Sequence, residues 1–491
     1  MFSTRGSINE NEILSLSDSK APISNSALRT RALQGGAFVL LRQAIGMVIS
    51  MASVLFVTRV IGPLQYGLFA SAFGIVFYLA GLGTWGVDVY LLRRTVEPSK
   101  HQYALGFTLL LCIGVGFAGL LAVGHTVIAA AIHVPAIGPL LLGLSLYIPL
   151  NLLALPGTVQ LDRELRFRAV AMNELVSQIL NVCVSIPLAL KGAGAWAPAG
   201  GILVQQLALL LMTYFTSGFR PALAWNLKEI REILAYGLSY SSSIWVWQLR
   251  TLINPILVAR LAGPHAVGIV ALAMRLADVL AFAKNATWRI AMAALAKLGE
   301  RRDLLRRSIE EGMRLQAIAA GFPLAIFALI GPTIFSRIFG DRWDAALTVF
   351  PFIAVSYLAN AMFNLHSSVL YLLHRNWQVT WFHLLHVALF ATTVALLVPR
   401  FGYIAYGYGE LAGLLAYILI HHLIVRAVGS PSYAGVAVWL GVVTIALACI
   451  HAGPVIRILA GVVLMLPLLV SKERALLHGY ARMLMPGAKV A

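Results

Sequence analysis

The chain has 491 residues, of which 60% are hydrophobic and only 11% charged, with a mean hydropathy of +0.84 and a formal net charge of +18. An ordinary soluble domain carries about twice that charged fraction, so the composition excludes one and indicates a polytopic membrane protein. The positive balance does not point to nucleic acid, because no compact basic domain exists to form the electrostatic footprint such binding needs.

Residues 1–20 are polar and lack a short apolar core with a small-residue cleavage site, which argues against a cleavable signal peptide. Residues 1–30, rich in Ser and Asn, are expected to be a disordered cytoplasmic tail. A spanning helix needs roughly 20 apolar residues. That ruler predicts fourteen helices, near 36–58, 67–92, 103–124, 136–156, 169–190, 195–217, 234–259, 265–291, 314–336, 345–373, 377–398, 402–425, 433–450 and 454–471. Placing the N-terminus in the cytoplasm puts 25 of the 37 Lys and Arg on that side. This positive-inside asymmetry predicts an even number of spans with both termini cytoplasmic.

The first and second predicted helices are joined by Val57-Thr58-Arg59-Val60-Ile61-Gly62-Pro63-Leu64-Gln65-Tyr66-Gly67-Leu68-Phe69-Ala70, and a near copy returns 201 positions later between the seventh and eighth. Arg59, Gly62, Pro63 and Gly67 recur as Arg260, Gly263, Pro264 and Gly268. A period this long marks a duplicated half. With six helices per half, each half starting on the same side, the repeat is parallel about an axis along the membrane normal and should enclose a central cavity. The predicted organisation is an N-lobe over 31–217, a linker over 218–233, a C-lobe over 234–427, two added helices over 433–471 and a cytoplasmic tail over 472–491. Arg59 and Arg260 end their helices, where a cation favours the dipole and satisfies carbonyls, and Gly-Pro then stops the helix.

Ionisable groups inside spans are costly and face partners or water-filled cavities. Helix 1 carries Arg42, Gly46, Ser50 and Ser53 at one-face spacing, and helix 7 carries Ser243, Trp247, Arg250 and Asn254. The offset maps Ser53 onto Asn254, so both stripes are expected to line one cavity. In helix 8, Asp278, Asn285 and Arg289 share a stripe that Arg275 borders, while Lys284 points away. Arg275 and Arg289 are therefore the cavity candidates there, with Asp278 placed to neutralise Arg275 three residues away. The offset also pairs Asp88 with Arg289 as a candidate charged gate; the alternative is that both snorkel at headgroup level.

Glu174 with Ser177, Asn181 and Ser185 forms a polar face on helix 5, and Glu410 with Tyr417 and His421 forms another on helix 12. With Asp278, these carboxylates are candidates for a coupling proton or sodium ion, against the alternative of buried pairing with a neighbouring helix. His383 and His386 have metal-ligand spacing but no third ligand in their helix, and no metal or cofactor is expected. Cys112, Cys183 and Cys449 lie singly in separate apolar runs and are read as core-filling thiols. Gly192-x-Gly194 lacks the preceding strand of a dinucleotide loop. No loop exceeds about 20 residues, below the roughly 50 that a soluble catalytic domain needs.

Ala32-Leu33-Gln34-Gly35-Gly36, the Arg-x-x-Gly-Pro-x-x-x-Gly turn, Leu161-Asp162-Arg163-Glu164-Leu165-Arg166-Phe167-Arg168 ahead of Glu174, and Gly194-Ala195-Trp196-Ala197 together resemble the polysaccharide transporters. These are the O-antigen and exopolysaccharide flippases of the multidrug/oligosaccharidyl-lipid/polysaccharide exporter superfamily. The resemblance covers about residues 31–426 and is strongest over the first 210; it departs from the twelve-helix members in adding a thirteenth and fourteenth helix. It implies a flippase, with no enzymatic activity, for an undecaprenyl-pyrophosphate-linked oligosaccharide in the bacterial inner membrane, working among membrane lipids and beside a polysaccharide polymerase. Arg42, Arg250, Arg275 and Arg289 would suit a pyrophosphate, since guanidinium matches phosphate oxygens in paired bonds. A drug or metabolite:cation antiporter of the same superfamily is the alternative. It would want acidic groups in the cavity, whereas the mid-membrane charge here is mostly positive.

Overall fold

The computed structural model describes the backbone of residues 25–94, 97–282 and 301–470 with residues 284, 295 and 474; among these, side chains are described from residue 45 onward except 239 and 240. These residues form helices and turns without a strand. In chain order they are α1 (Asn25–Gly83), α2 (Val87–Arg93), α3 (Lys100–Ala131), α4 (Gly138–Leu144), α5 (Tyr147–Arg163), α6 (Phe167–Leu190), α7 (Trp196–Ser217), α8 (Leu227–Gln248) and α9 (Ala259–Leu280). Then follow α10 (Arg302–Phe339), α11 (Ala345–Leu372), α12 (Asn376–Phe401), α13 (Ile404–Gly413), α14 (Tyr417–Val428), α15 (Ala434–Ala448) and α16 (Pro454–Met465).

Eleven helical stretches among the described residues are long and apolar enough to cross a membrane, where fourteen were expected. The difference has a local cause. The first and second spans run together as Ile45–Gly83, 39 residues, and the seventh and eighth as Ser241–Leu280, 40 residues. The last, Pro454–Leu469, is shorter than a span. At about 1.5 Å per residue each long rod would measure about 60 Å, twice the roughly 30 Å hydrocarbon core, so neither can continue straight. Both break at the repeated glycine: Gly62 has φ 75° and ψ 172°, and Gly263 has φ 81° and ψ 171°. Only glycine takes that backbone without strain, and the proline that follows ends any helical hydrogen bonding across it. The duplication is thus visible as two matching backbone breaks.

Other boundaries also follow local chemistry. Ser99 caps α3 in a reciprocal box: its Oγ accepts from the Gln102 amide at 3.3 Å while Gln102 Oε1 accepts from the Ser99 amide at 3.0 Å. Asn226 caps α8 by accepting from the amides of Lys228 and Glu229. The second span, expected to reach residue 92, ends at Gly83; Trp85 and Gly86 take positive φ, and α2 starts a new axis. Helix α1 begins at Asn25, inside the stretch expected to be a tail.

In the N-lobe, α1 packs on α6, α6 on α7 and α3 on α5. In the C-lobe, α10 packs on α11 and α15, and α12 on α8 and α13. The outer surface is apolar, with Phe215 90% and Val123 81% exposed. Such side chains have lipid tails for solvent in a multi-pass membrane protein. Cys112 and Cys183 lie on this exposed surface, not in the core, and Cys449 is half-buried; an apolar run by itself does not say which side of its helix meets lipid.

The lobes meet most closely along α1 and α9. A Cβ built on Gly67 would lie 1.7 Å from the Pro264 carbonyl oxygen, and one on Gly268 would lie 2.1 Å from that of Pro63. The repeated turn is therefore self-complementary: each glycine admits the other lobe's backbone. At the same face Arg59 Nη1 donates to the carbonyls of Arg337 and Ile338 at 2.6 and 2.8 Å, and Arg260 Nη1 donates to that of Ala131 at 3.1 Å. Trp343 Nε1 donates to the Thr58 carbonyl at 3.2 Å. At the opposite end of the second span, Trp85 packs edge-on against Trp245 with ring centroids 4.8 Å apart, and a Cβ on Gly237 would lie 1.8 Å from the Trp85 carbonyl oxygen.

Candidate functional site

Two polar cavities lie between these contacts, one on each lobe. The N-lobe cavity, about 360 Å³, is lined by Ser50, Ser53 and Tyr66 of α1, by Gln178, Asn181 and Ser185 of α6, and by Gln205 of α7. Its amides are held in place: Asn181 Nδ2 donates to Gln205 Oε1 at 2.7 Å, and Gln178 Nε2 to the Gly46 carbonyl at 2.7 Å. Among the described residues, its one charged lining group comes from the other lobe. Arg275 of α9 reaches across the interface and donates from Nη2 to Ser50 Oγ.

The C-lobe cavity, about 220 Å³, is lined by Trp247, Gln248, Arg250, Thr251, Asp278, Lys284, Tyr357, Asn360 and Tyr406, among others. Arg250 lies over the Trp247 ring at 4.7 Å and donates from Nη2 to both oxygens of Glu410, at 2.8 and 3.0 Å. Ser356 Oγ donates to Glu410 Oε2 at 2.6 Å. The Glu410 carboxylate is fully buried, so pairing with a neighbouring helix is what this residue does in the observed conformation. Lys284 Nζ reaches Asn360 Oδ1 at 3.5 Å and lies over the Tyr357 ring at 5.2 Å.

Several expected positions move. Lys284, expected to point away, lines the C-lobe cavity beside Asp278, while Arg275 serves the N-lobe cavity. The expected stripe requires one continuous helix, but α9 ends at Leu280, so Lys284 no longer follows its 100° steps. No ion pair joins Arg275 to Asp278 among the described residues: Arg275 is extended toward Ser50. Ser53 lines its cavity but Asn254 does not. Asn254 Nδ2 donates to the Val267 carbonyl at 3.3 Å, and the side chain is buried. The cause is local winding: residues Leu249–Leu252 form a 3₁₀ turn and Ile253–Val258 a π turn, which rotates Asn254 off the stripe that a regular helix would show.

Glu174 is half-buried and lines neither cavity, although Ser185 of the same face does. Asp88 lies in the first turn of α2, where a carboxylate favours the helix dipole, and partial burial raises its pKa above the ordinary carboxylate value. The side chains of Arg42 and Arg289 lie outside the described residues, and so does the proposed pairing of Asp88 with Arg289. His383 Nδ1 donates to the Ser243 carbonyl at 2.9 Å, and both His383 and His386 pack on Trp247. The amides Gln178 and Gln205 and the cation Lys284 were missed as lining residues; the 3- and 4-residue spacings linking Glu174, Gln178 and Asn181 were the available signal for the first.

A duplicated helical chain of this build also has relatives. Residues 56–348 match the family described as polysaccharide biosynthesis protein. The chain belongs to that family. Among curated proteins, it is 23% identical to the succinoglycan biosynthesis transport protein ExoT of Rhizobium meliloti over 63% of this chain and 62% of that one. It is 23% identical to the teichuronic acid biosynthesis protein TuaB of Bacillus subtilis over 43% and 44%. It is 22% identical to the lipopolysaccharide biosynthesis protein WzxC of Escherichia coli over 70% of each. The chain thus spans less than two thirds of the length of the first two.

Among solved structures, the lipid II flippase MurJ in an inward closed conformation superposes with a TM-score of 0.67 at 12% identity, over 86% of this chain and 97% of that one. An inward-facing multidrug resistance MATE transporter gives 0.54 at 16% identity, over 79% and 98%. These likenesses establish that this chain has the two-lobed fold of those structures.

Proposed function

We propose that this protein is a flippase for a lipid-linked oligosaccharide, carrying an undecaprenyl-pyrophosphate-linked repeat unit across the bacterial inner membrane by alternating access. The observation that carries this reading is Arg275. It is a guanidinium with no carboxylate partner among the described residues, placed in a cavity that hydroxyls, amides and aromatic rings line together with aliphatic side chains such as Val54, Val182 and Ile202. An unneutralised cation in such a pocket favours an anionic group, and guanidinium binds phosphate oxygens in pairs. The hydroxyls and amides of Ser53, Asn181 and Gln205 match sugar hydroxyls, and the rings of Tyr66 and Phe69 suit sugar faces. The names of ExoT, TuaB and WzxC, all of polysaccharide biosynthesis, support the cargo class.

Energy comes from the membrane potential or an ion gradient, with Glu410 and Asp278 as the carboxylates available for a proton or sodium ion. The positive-inside asymmetry supports cytoplasmic termini, so the cargo leaves on the opposite face of the membrane, where a polymerase would act on it after transfer. The test is genetic and biochemical together. Deleting the gene should cause lipid-linked repeat units to accumulate on the cytoplasmic leaflet, and a copy carrying Arg275→Ala should fail to reverse this. Unchanged glycan with altered drug sensitivity would overturn the reading.

A further inference from the structure

The contact between Arg250 and Glu410 spends a cation that the cavity could otherwise present to cargo. Glu410 is fully enclosed and, among the described residues, accepts hydrogen bonds from Arg250 at both oxygens and from Ser356. Arg250 is different: its side chain keeps 14% exposure, lies on the Trp247 face and borders the C-lobe cavity. A single nitrogen, Nη2, reaches both carboxylate oxygens, so the guanidinium fork is not matched to the carboxylate. A phosphate entering from the cavity could engage two nitrogens in parallel, the geometry that guanidinium prefers.

Loss of Arg250 would leave Glu410 as a buried carboxylate without a cation, a state that groups in low dielectric avoid by taking a proton. Among the described residues no second cation is hydrogen-bonded to it. From α9 and just beyond come Asp278 and Lys284, from α11 Ser356, Tyr357 and Asn360, from α12 His383 and His386, and from α13 and α14 Tyr406 and Tyr417. Lys284 is turned to Asn360 and Tyr357, and the Ser356 hydroxyl can accept a proton's hydrogen bond as readily as it now donates one.

We propose that Arg250 is exchanged between Glu410 and the anionic headgroup of the cargo, and that Glu410 takes up one proton as Arg250 leaves it. This rests on the flippase reading. The step balances: the carboxylate becomes a carboxylic acid, the headgroup gains the guanidinium, and no electrons move. Anion and proton therefore bind together, and the loaded carrier holds one negative charge fewer than headgroup binding alone would give it. In the empty carrier the Arg250–Glu410 pair keeps the site neutral.

The full chain in lipid nanodiscs would be titrated between about pH 5.5 and 8 with a short-chain polyprenyl pyrophosphate sugar, a diester that lacks the terminal phosphate proton titrating at about 6. Uptake of one proton per anion makes wild-type affinity fall roughly tenfold per pH unit as pH rises. Glu410→Gln should bind as tightly as wild type does at low pH and show no pH dependence. Infrared spectra of the cargo-free protein add a ligand-independent arm. Arg250→Gln should show a protonated carboxyl band that is missing from both wild type and the Arg250→Gln/Glu410→Gln pair. A flat wild-type profile, a slope that persists in Glu410→Gln, or absence of the band overturns the exchange; the last would also be the outcome if Lys284 swung over to Glu410. A band present without pyrophosphate binding at any pH supports the exchange and overturns the pyrophosphate cargo.

Discussion

Arg59 and Arg260, equivalent residues of the two halves, each cap a helix of the opposite lobe. Arg59 of α1 donates to the last carbonyls of α10, and Arg260 of α9 donates to the last carbonyl of α3. The expectation from sequence was that each arginine serves the end of its own helix; each instead donates to a helix end of the other half. Together with the interlocked Gly67 and Gly268, the two arginines close one face of the lobe interface.

Any side chain at Gly67 should force that face apart. Alanine there would put a methyl group 1.7 Å from the Pro264 carbonyl oxygen, a backbone contact that no rotamer change relieves. Gly67→Ala is expected to shift the carrier toward the state open at this face, and Gly268→Ala to do the same. Spin labels at residues 61 and 262 would report a longer distance in both variants, and an unchanged distance would refute the latch. Arg59→Ala should act in the same direction but more weakly, by about 1–2 kcal/mol for its exposed hydrogen bonds.

Arg275→Ala should weaken cargo affinity roughly 10- to 100-fold, the usual effect of losing a hydrogen bond to a charged group. Arg275→Lys should recover only part of this, because an ammonium lacks the planar fork. Binding of a polyprenyl pyrophosphate to the purified protein measures both.

The Arg250–Glu410 pair separates stability from transport. Glu410→Ala leaves a buried guanidinium unpaired and should lower stability by about 3–5 kcal/mol. Arg250→Met combined with Glu410→Gln removes both charges and should restore most of the melting temperature, while transport stays abolished. A double variant as unstable as Glu410→Ala would show that the pair is not an isolated unit.

Asn254→Ala should lower stability by about 1 kcal/mol through loss of the bond to Val267 and leave cargo affinity at the wild-type value. Reduced affinity at unchanged stability would return Asn254 to the cavity. Thermal melting and ligand titration of the same preparation distinguish the two.

How much of this was legible beforehand depends on the range of the forces involved. Hydropathy, the 201-residue duplication and the Gly-Pro break at Gly62 and Gly263 are local properties: a run of apolar residues needs lipid, and a glycine at positive φ before proline ends a helix wherever it stands. From these the sequence by itself determined a membrane-spanning, all-helical chain of two halves, and polar spacing singled out Ser53, Arg250 and Arg275, each of which borders one of the two cavities. The partners of those residues were not legible. Glu410 lies 160 positions from Arg250, and Ser50 lies 225 from Arg275; helical periodicity relates only positions a few turns apart on one helix. The turns from Leu249 to Val258 rotate Asn254 away, and the end of α9 at Leu280 brings Lys284 in. Only tertiary packing decided those pairings, within the C-lobe for Arg250 with Glu410 and between the lobes for Arg275 with Ser50, because a buried charge takes whichever partner the neighbouring helix brings within hydrogen-bond reach.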